Sequence, residues 1–485
     1  MGVIVNQGIK NSVSFYLGMA IGAINTILIY PNVFNNQPEH WGLLTIIVAY
    51  ATVLSTFSTL GIPQTFIRFF PSVKQKGELF LFSLIVPLIG FLVLCISFFL
   101  FKEEFFLLLN AGPDLINNYL YIFILLFFIS FYNILNSVSR SYLDSTTPIF
   151  LNEVFLKLYS LVILVIHGLK IIDFTTFLKL YILGFIIKFL FLFIIQFFKG
   201  NLLFSFSLKS LNFKEMIKYS SYVFVGGASV MLVTRLDMLM IGAMLDLKQL
   251  AYYTLAFYIG SAIKVPGKAI VSISMPLLSK AWENQDFKQI NEIYKKSSIN
   301  QFIIGGIIFL CIWINIDIIF NIIPEKFSGG RWVVFYIALA QIFNIASGVN
   351  GAIIVNSKYY RFELYTNVLL VVITLLTNYF LIPVFGINGA AMATAISVFL
   401  FNFIRLVIIK IKMGIQPFSI KTLYTFVILI LTFKVIIYFP LSGNEYVDVV
   451  INILYVLIIL IPIIYFLRLS EDINKIIKSF CSRYL

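Results

Sequence analysis

The residues of this chain best able to do chemistry are charges set inside long apolar runs. Arg235 and Asp237 lie within SYVFVGGASVMLVTRLDMLMIGAML, and Lys264 and Lys268 within AYYTLAFYIGSAIKVPGKAIVSISMPLLS. Glu153, Lys157 and Lys188 interrupt two runs further upstream. If each run is a membrane helix rising ~1.5 Å per residue, Lys268 lies roughly 16 Å, and Lys264 roughly 20 Å, from the nearer end. A lysine stem reaches only about 6 Å, so neither ammonium can snorkel fully to a surface. Their four-residue spacing puts both on one face, and Pro266 between them bends or loosens that turn. Glu153 and Lys157 share that spacing with the acid N-terminal, a favourable helical pair.

Lys157, Lys188, Arg235, Lys264 and Lys268 are opposed inside the spans only by Glu153 and Asp237. An excess of one sign at bilayer depth is costly unless water or a ligand of opposite sign visits. Phosphate and diphosphate fit that role, because guanidinium and ammonium groups bind them by charge-assisted hydrogen bonds. The five basic residues are therefore the candidate substrate-binding set, lining a basic, water-filled cavity. Asp237 and Glu153 are the candidate ion-coupling acids. The structural alternatives are that Glu153 and Lys157 form a simple ion pair and that Asp237 neutralises Arg235. Lys179, Asp317 and Lys434 lie near helix ends and read as snorkelling residues.

The elements that must position these groups follow from composition. Of 485 residues, 60% are hydrophobic and only 12% are charged, which identifies an integral membrane protein. A net charge of +14 reflects basic residues kept in inward-facing loops, since no soluble basic domain is left to bind nucleic acid. Cys95, Cys311 and Cys481 are scattered, with neither disulfide nor metal spacing. The first apolar run, Asn11 to Tyr30, reads as a retained helix and not a cleaved leader.

Windows of roughly 20 apolar residues predict an all-α polytopic protein with about 14 transmembrane helices. They fall near 11-30, 41-66, 79-101, 116-138, 148-168, 174-198, 219-245, 251-279, 299-321, 331-356, 364-383, 387-409, 421-440 and 447-468. With both termini inside, about 23 Lys and Arg fall in inner connections, counting the 405-421 segment, against roughly five outside. Residues 281-297 read as an interfacial helix with Trp282, Phe287, Ile290 and Tyr294 along one stripe. Ile9-Lys10-Asn11-Ser12 opens the first span as Ile217-Lys218-Tyr219-Ser220 opens the seventh. Six intervening spans give both halves one direction, as parallel repeats require. The expected architecture is two six-helix lobes, 1-200 and 201-412, around a central cavity, with two further helices and a cytoplasmic tail in 413-485.

No glycine-rich phosphate loop, HExxH or GxSxG motif is present, so neither an enzyme nor a bound cofactor or metal is expected. The chain resembles the polysaccharide (O-antigen, lipid-linked oligosaccharide) flippases of the multidrug/oligosaccharidyl-lipid/polysaccharide exporter superfamily. The resemblance is carried by Arg235-Leu-Asp237 with Ile241-Gly242, Ala251-Tyr-Tyr-Thr-Leu-Ala256, Met275-Pro276-Leu-Leu and Trp282-Glu283. It continues in Gly348-Val-Asn350-Gly351, Ser357-Lys-Tyr-Tyr-Arg361, Asn378-Tyr-Phe-Leu-Ile-Pro383 and Gly386-Ile-Asn-Gly389, with Leu60-Gly-Ile-Pro63 and Arg68-Phe-Phe nearer the start. It implies a bacterial cytoplasmic-membrane protein that moves an undecaprenyl-diphosphate-linked oligosaccharide to the outer leaflet by alternating access, beside a polymerase and glycosyltransferases. The first expected span, 11-30, departs from the related peptidoglycan-precursor flippases in holding no Arg or Lys, which disfavours that substrate. A cation-coupled multidrug exporter and a non-transporting subunit of a polysaccharide-assembly complex are the other expectations. The first should line its cavity with acids, opposite in sign to what is found.

Overall fold

The computed structural model describes residues 2–205 and 207–484, apart from the side chains of 2–6, 9, 269 and 480–484. The Ile9 side chain of the repeat and the Cys481 thiol thus lie outside what is described. Among the described residues the chain is entirely helical, with no strand. Helices are what lipid demands, since each backbone donor must then find its acceptor within its own segment. Among the described residues, eleven helices are long and apolar enough to cross a membrane. One of them, Arg361–Met413, is two helices joined at Gly386, whose φ of 57° and ψ of −136° no helix holds. The expected spans at 251-279 and 421-440 coincide with helices outside those eleven, the first broken by a 3-10 turn and the second 17 residues long.

The chain divides into two compact units, Met1–Leu255 and Ala256–Leu485. In the first, α1 (Gly2–Ala23) runs on through a wide π-helical turn, Ile24–Ile29. There follow α2 (Pro38–Thr59), α3 (Ile62–Phe69), α4 (Lys76–Leu100), α5 (Leu120–Ser141), α6 (Thr146–Gly168), α7 (Phe174–Phe198) and α8 (Phe213–Met244). The turn between α2 and α3 uses two left-handed residues, Leu60 at φ 47° and Gly61 at φ 78°, followed by Pro63 in the first turn of α3. Close backbone approach replaces the hydrophobic effect as the packing force in lipid. A Cβ on Gly18 would collide with the Glu153 carbonyl, and one on Gly90 with that of Ser58. The Ser58 hydroxyl then reaches the Pro87 carbonyl on α4 at 2.9 Å.

Helix α9 (Leu247–Ser261) carries the division between the units. The second unit continues with the 3-10 turn Ala262–Lys264, α10 (Val265–Glu283), α11 (Phe287–Ile314), α12 (Arg331–Ala346) and α13 (Asn350–Asn356). The kinked α14 (Arg361–Met413), α15 (Ile420–Ile436), α16 (Glu445–Phe466) and α17 (Glu471–Tyr484) complete it. Residues 281–297 are not an interfacial helix. The chain turns at Gln285 (φ 52°), and the Asp286 carboxylate caps a new helix by accepting the Gln289 N–H at 2.9 Å. That helix is the start of α11, and it turns Ile290 and Tyr294 fully inward into the core, whereas Phe287 of the same stripe stays exposed.

Candidate functional site

The Asn152–Glu153 pair sits on a π-helical turn of α6, Leu151–Phe155, a widened turn that single sites in helices often use for function. Lys157, one turn on, closes an ion pair with Glu153 at 3.0 Å, as the spacing predicted. Lys188 of α7 is buried, and its ammonium donates to Asn152 Oδ1 at 3.0 Å. Asn152 Nδ2 in turn donates to Glu153 Oε1 at 3.1 Å. Lys188 also lies 4.2 Å from the centre of the Tyr132 ring and 5.0 Å from that of Phe185. The result is a line, Lys188–Asn152–Glu153–Lys157, in which Lys157 pairs with the carboxylate directly and Lys188 reaches it through the Asn152 amide. Asn152 was missed by the sequence reading; a lone amide beside a charge within an apolar run was its only signal.

The line is tied to α1 through Asn25, which sits on the π-helical turn Ile24–Ile29. Asn25 is buried and donates to the Lys157 carbonyl at 2.9 Å and to Ser160 Oγ at 3.1 Å. Interhelical bonds of this kind are worth about 0.6–2 kcal/mol in lipid.

Arg235 and Asp237 of α8 part ways. Two residues of helix turn a side chain through ~200°, so they leave opposite sides of the helix. Arg235 is half-buried, with Nη1 3.7 Å from Met238 Sδ. Asp237 is buried and accepts the hydroxyl of fully buried Tyr253 at 2.6 Å. Tyr253 belongs to the Ala251–Ala256 motif, which gave no hint of this contact in the sequence.

In the second unit, Lys264 ends the 3-10 turn and Lys268 follows on α10. Pro266 has no N–H to continue the helix, which accounts for the break immediately before it. A Cβ on Gly260 would sit 2.9 Å from the Val334 carbonyl, and one on Gly267 2.9 Å from Gln301 Oε1. Those glycines and buried Ile263 therefore hold one side of the segment against α11 and α12. The lysines leave from beside that packed stripe: Lys264 is half-buried, its ammonium 5.9 Å from the Phe257 ring centre, and Lys268 is exposed. Thus Glu153, Lys157 and Lys188 form one network, Lys264 and Lys268 share an accessible segment, and Arg235 and Asp237 stand on different sides of α8.

Arg405, counted from sequence among the inner connections, is instead buried within α14. It meets Glu363 Oε1 at 2.5 Å and Asn367 Oδ1 at 3.1 Å, and its guanidinium lies 3.9 Å over the Phe401 ring. The helix continues past the point where hydropathy falls, because the arginine finds its carboxylate inside the fold. Beside it, an apolar groove of about 590 Å³ separates α15 from α11, α12 and α14, with Phe302, Phe343, Phe399 and Phe426 among its walls. A second hollow of about 240 Å³ shares Phe302, Leu339, Ile342 and Phe426 and prolongs it along α15.

A family described as "Polysaccharide biosynthesis protein" matches residues 10–282. Among solved structures, the fold is similar to "Lipid II flippase MurJ, inward closed conformation", with TM-score 0.76, 15% identity, and 93% of this chain and 97% of that one covered. It is also similar to an inward-facing multidrug resistance MATE family transporter of the MOP superfamily, with TM-score 0.64, 15% identity and 83% and 98% covered. The Vibrio cholerae MATE transporter VcmN D35N mutant gives 0.58, 11% identity and 85% and 98% covered. No curated protein matches the chain by sequence.

Proposed function

Because the chain belongs to the polysaccharide biosynthesis protein family and has the fold of membrane transporters, we propose that it translocates an undecaprenyl-diphosphate-linked oligosaccharide across the bilayer. The observation that carries this reading is the Glu153 network, which holds two lysines and one carboxylate inside apolar helices. Lys157 pairs with Glu153 directly and Lys188 reaches it only through Asn152, while Lys264 and Lys268 lie on a segment that Gly260 and Gly267 hold against α11 and α12. A diphosphate brings the negative charge that the Glu153 network lacks, and Lys264, Lys268, Arg235, Lys157 and Lys188 are the proposed binding set. The Phe-lined groove along α15 suits a long, flexible apolar chain such as the polyprenyl tail.

In this proposal the lobes 1–200 and 201–412 alternate access, 413–485 is appended, and both termini face the cytoplasm of a bacterium. Glu153 and Asp237 are the candidate coupling acids, and Glu153 is the better placed, because an arriving anion competes with it for Lys157. A polymerase and glycosyltransferases would be its working neighbours. Export of organic cations, the alternative raised by the MATE-like fold, is disfavoured by the sign of the charges. Reversing both accessible lysines, Lys264→Glu with Lys268→Glu, should abolish surface polysaccharide while the protein stays in the membrane. Normal export from that double variant would defeat the proposal.

A further inference from the structure

We propose that a separate polar pocket in the first unit holds one neutral sugar ring. It has a volume of about 270 Å³ and is walled by Thr56 and Thr59 of α2, Gln64 of α3, and Asn133, Asn136 and Arg140 of α5. Helix α8 closes one side and contributes the aromatic ring of Phe224. None of these residues belongs to the lysine set, and the pocket has no role in the charge argument above.

The chemistry of the walls selects the ligand. Thr59 Oγ1 donates its proton to the Ser55 carbonyl at 2.9 Å, and Thr56 Oγ1 donates to that of Thr52 at 3.4 Å. With their protons used inside α2, these hydroxyls present lone pairs to anything that enters. Asn136 Oδ1 is a buried acceptor without a partner among the described residues, a condition that native structures rarely leave unanswered. A wall rich in acceptors calls for a guest rich in O–H or N–H donors. Phosphate, which only accepts, could use the Arg140 guanidinium and the amide N–H groups but would leave the threonine lone pairs and Asn136 Oδ1 unanswered. A metal cation would meet neutral amides and the Arg140 guanidinium, with no carboxylate in the lining. Sugar hydroxyls both donate and accept, side-chain amides match them in both senses, and an aromatic ring covers the apolar face of a pyranose. A volume of about 270 Å³ suits a single pyranose ring.

The left-handed turn between α2 and α3 also borders the pocket. Gly61 holds φ 78°, and a Cβ there would lie 2.6 Å from the Ser220 carbonyl of α8. Ser220 Oγ meanwhile donates to the Leu60 carbonyl at 2.5 Å. The turn thereby clamps α8 over the amide-lined hollow. This inference rests on a glycan-bearing substrate, and it assigns part of that glycan to residues remote in sequence from the lysines.

The test uses the purified full-length protein in lipid nanodiscs, methyl glycosides of neutral hexoses and N-acetylhexosamines, and saturation-transfer NMR. At least one glycoside should bind, and Asn136→Ala and the double variant Gln64→Ala with Asn133→Ala should each weaken it by roughly tenfold or more. Both variants should keep the wild-type melting temperature and the wild-type affinity for farnesyl diphosphate. Lys264→Gln with Lys268→Gln should keep the glycoside. Wild-type protein that binds farnesyl diphosphate and no glycoside, or pocket variants that bind glycosides as well as wild type, would overturn the sugar pocket alone. Glycoside binding that depends on Asn136 without any farnesyl diphosphate binding would uphold the pocket and overturn the diphosphate reading.

Discussion

Two buried cations in this protein are handled in opposite ways. Arg405 has a carboxylate of its own at 2.5 Å, an amide at 3.1 Å and an aromatic face at 3.9 Å. Lys188 has only an amide as its direct hydrogen-bond acceptor, and the nearest acid in its network, Glu153, is already paired with Lys157. The first arrangement is balanced and has no need of a ligand. The second is one negative charge short. Depth alone therefore does not mark a binding group in a membrane protein; the ratio of cations to carboxylates in each network does.

Removing the balanced cation should have the largest effect. Arg405→Ala strands Glu363 and should cost about 3–5 kcal/mol, read as loss of folded protein from detergent extracts. A variant that accumulates and melts like wild type would show that the pair is not a structural pin. Glu153→Gln should sharpen the contrast from the other side, since it leaves Lys157 and Lys188 with no acid between them. Its melting temperature should fall in the absence of ligand, and farnesyl diphosphate should restore it by more than it raises wild type. An unchanged response would place the Glu153 network in the structural class with Arg405.

How much of this was legible beforehand depends on the distance over which residues speak to one another. The all-helical membrane fold was written in composition and window hydropathy, and the Glu153–Lys157 pair in a spacing of four. Asn152, Tyr253 and the Arg405 cluster were not legible, because each is defined by a partner on another helix. Arg405 shows this best: its basic neighbours in sequence, Lys410 and Lys412, read as a loop, whereas its partner Glu363 lies 42 positions earlier. The stripe containing Ile290 and Tyr294 failed differently, since an apolar face that meets protein and one that meets lipid share the same period.

The smallest expected effect comes from the exposed connection between α5 and α6. Burial alone would raise the Asp144 carboxyl, but the Lys199 ammonium at 2.6 Å, with the Thr147 N–H and hydroxyl, holds it below its usual range. A lowered carboxyl stabilises the fold above its unfolded value of about 3.9, and that contribution is lost as pH falls through the folded value. Acidification from pH 6 to pH 3 should therefore cost wild type slightly more thermal stability than Asp144→Asn. The difference should stay under about 1 kcal/mol, as for other surface pairs. An equal or larger loss in Asp144→Asn would remove this pair from the account.

The most direct test of the central claim is the equilibrium affinity of the purified protein for farnesyl diphosphate, measured for wild type and for Lys264→Gln with Lys268→Gln. One charge-assisted hydrogen bond is worth about 1.5–3 kcal/mol, so the double variant should bind at least roughly tenfold more weakly. The melting temperature of each protein, measured alongside, separates lost binding from lost fold. Equal affinity in the two proteins would contradict the claim that an anionic head group answers the surplus charge.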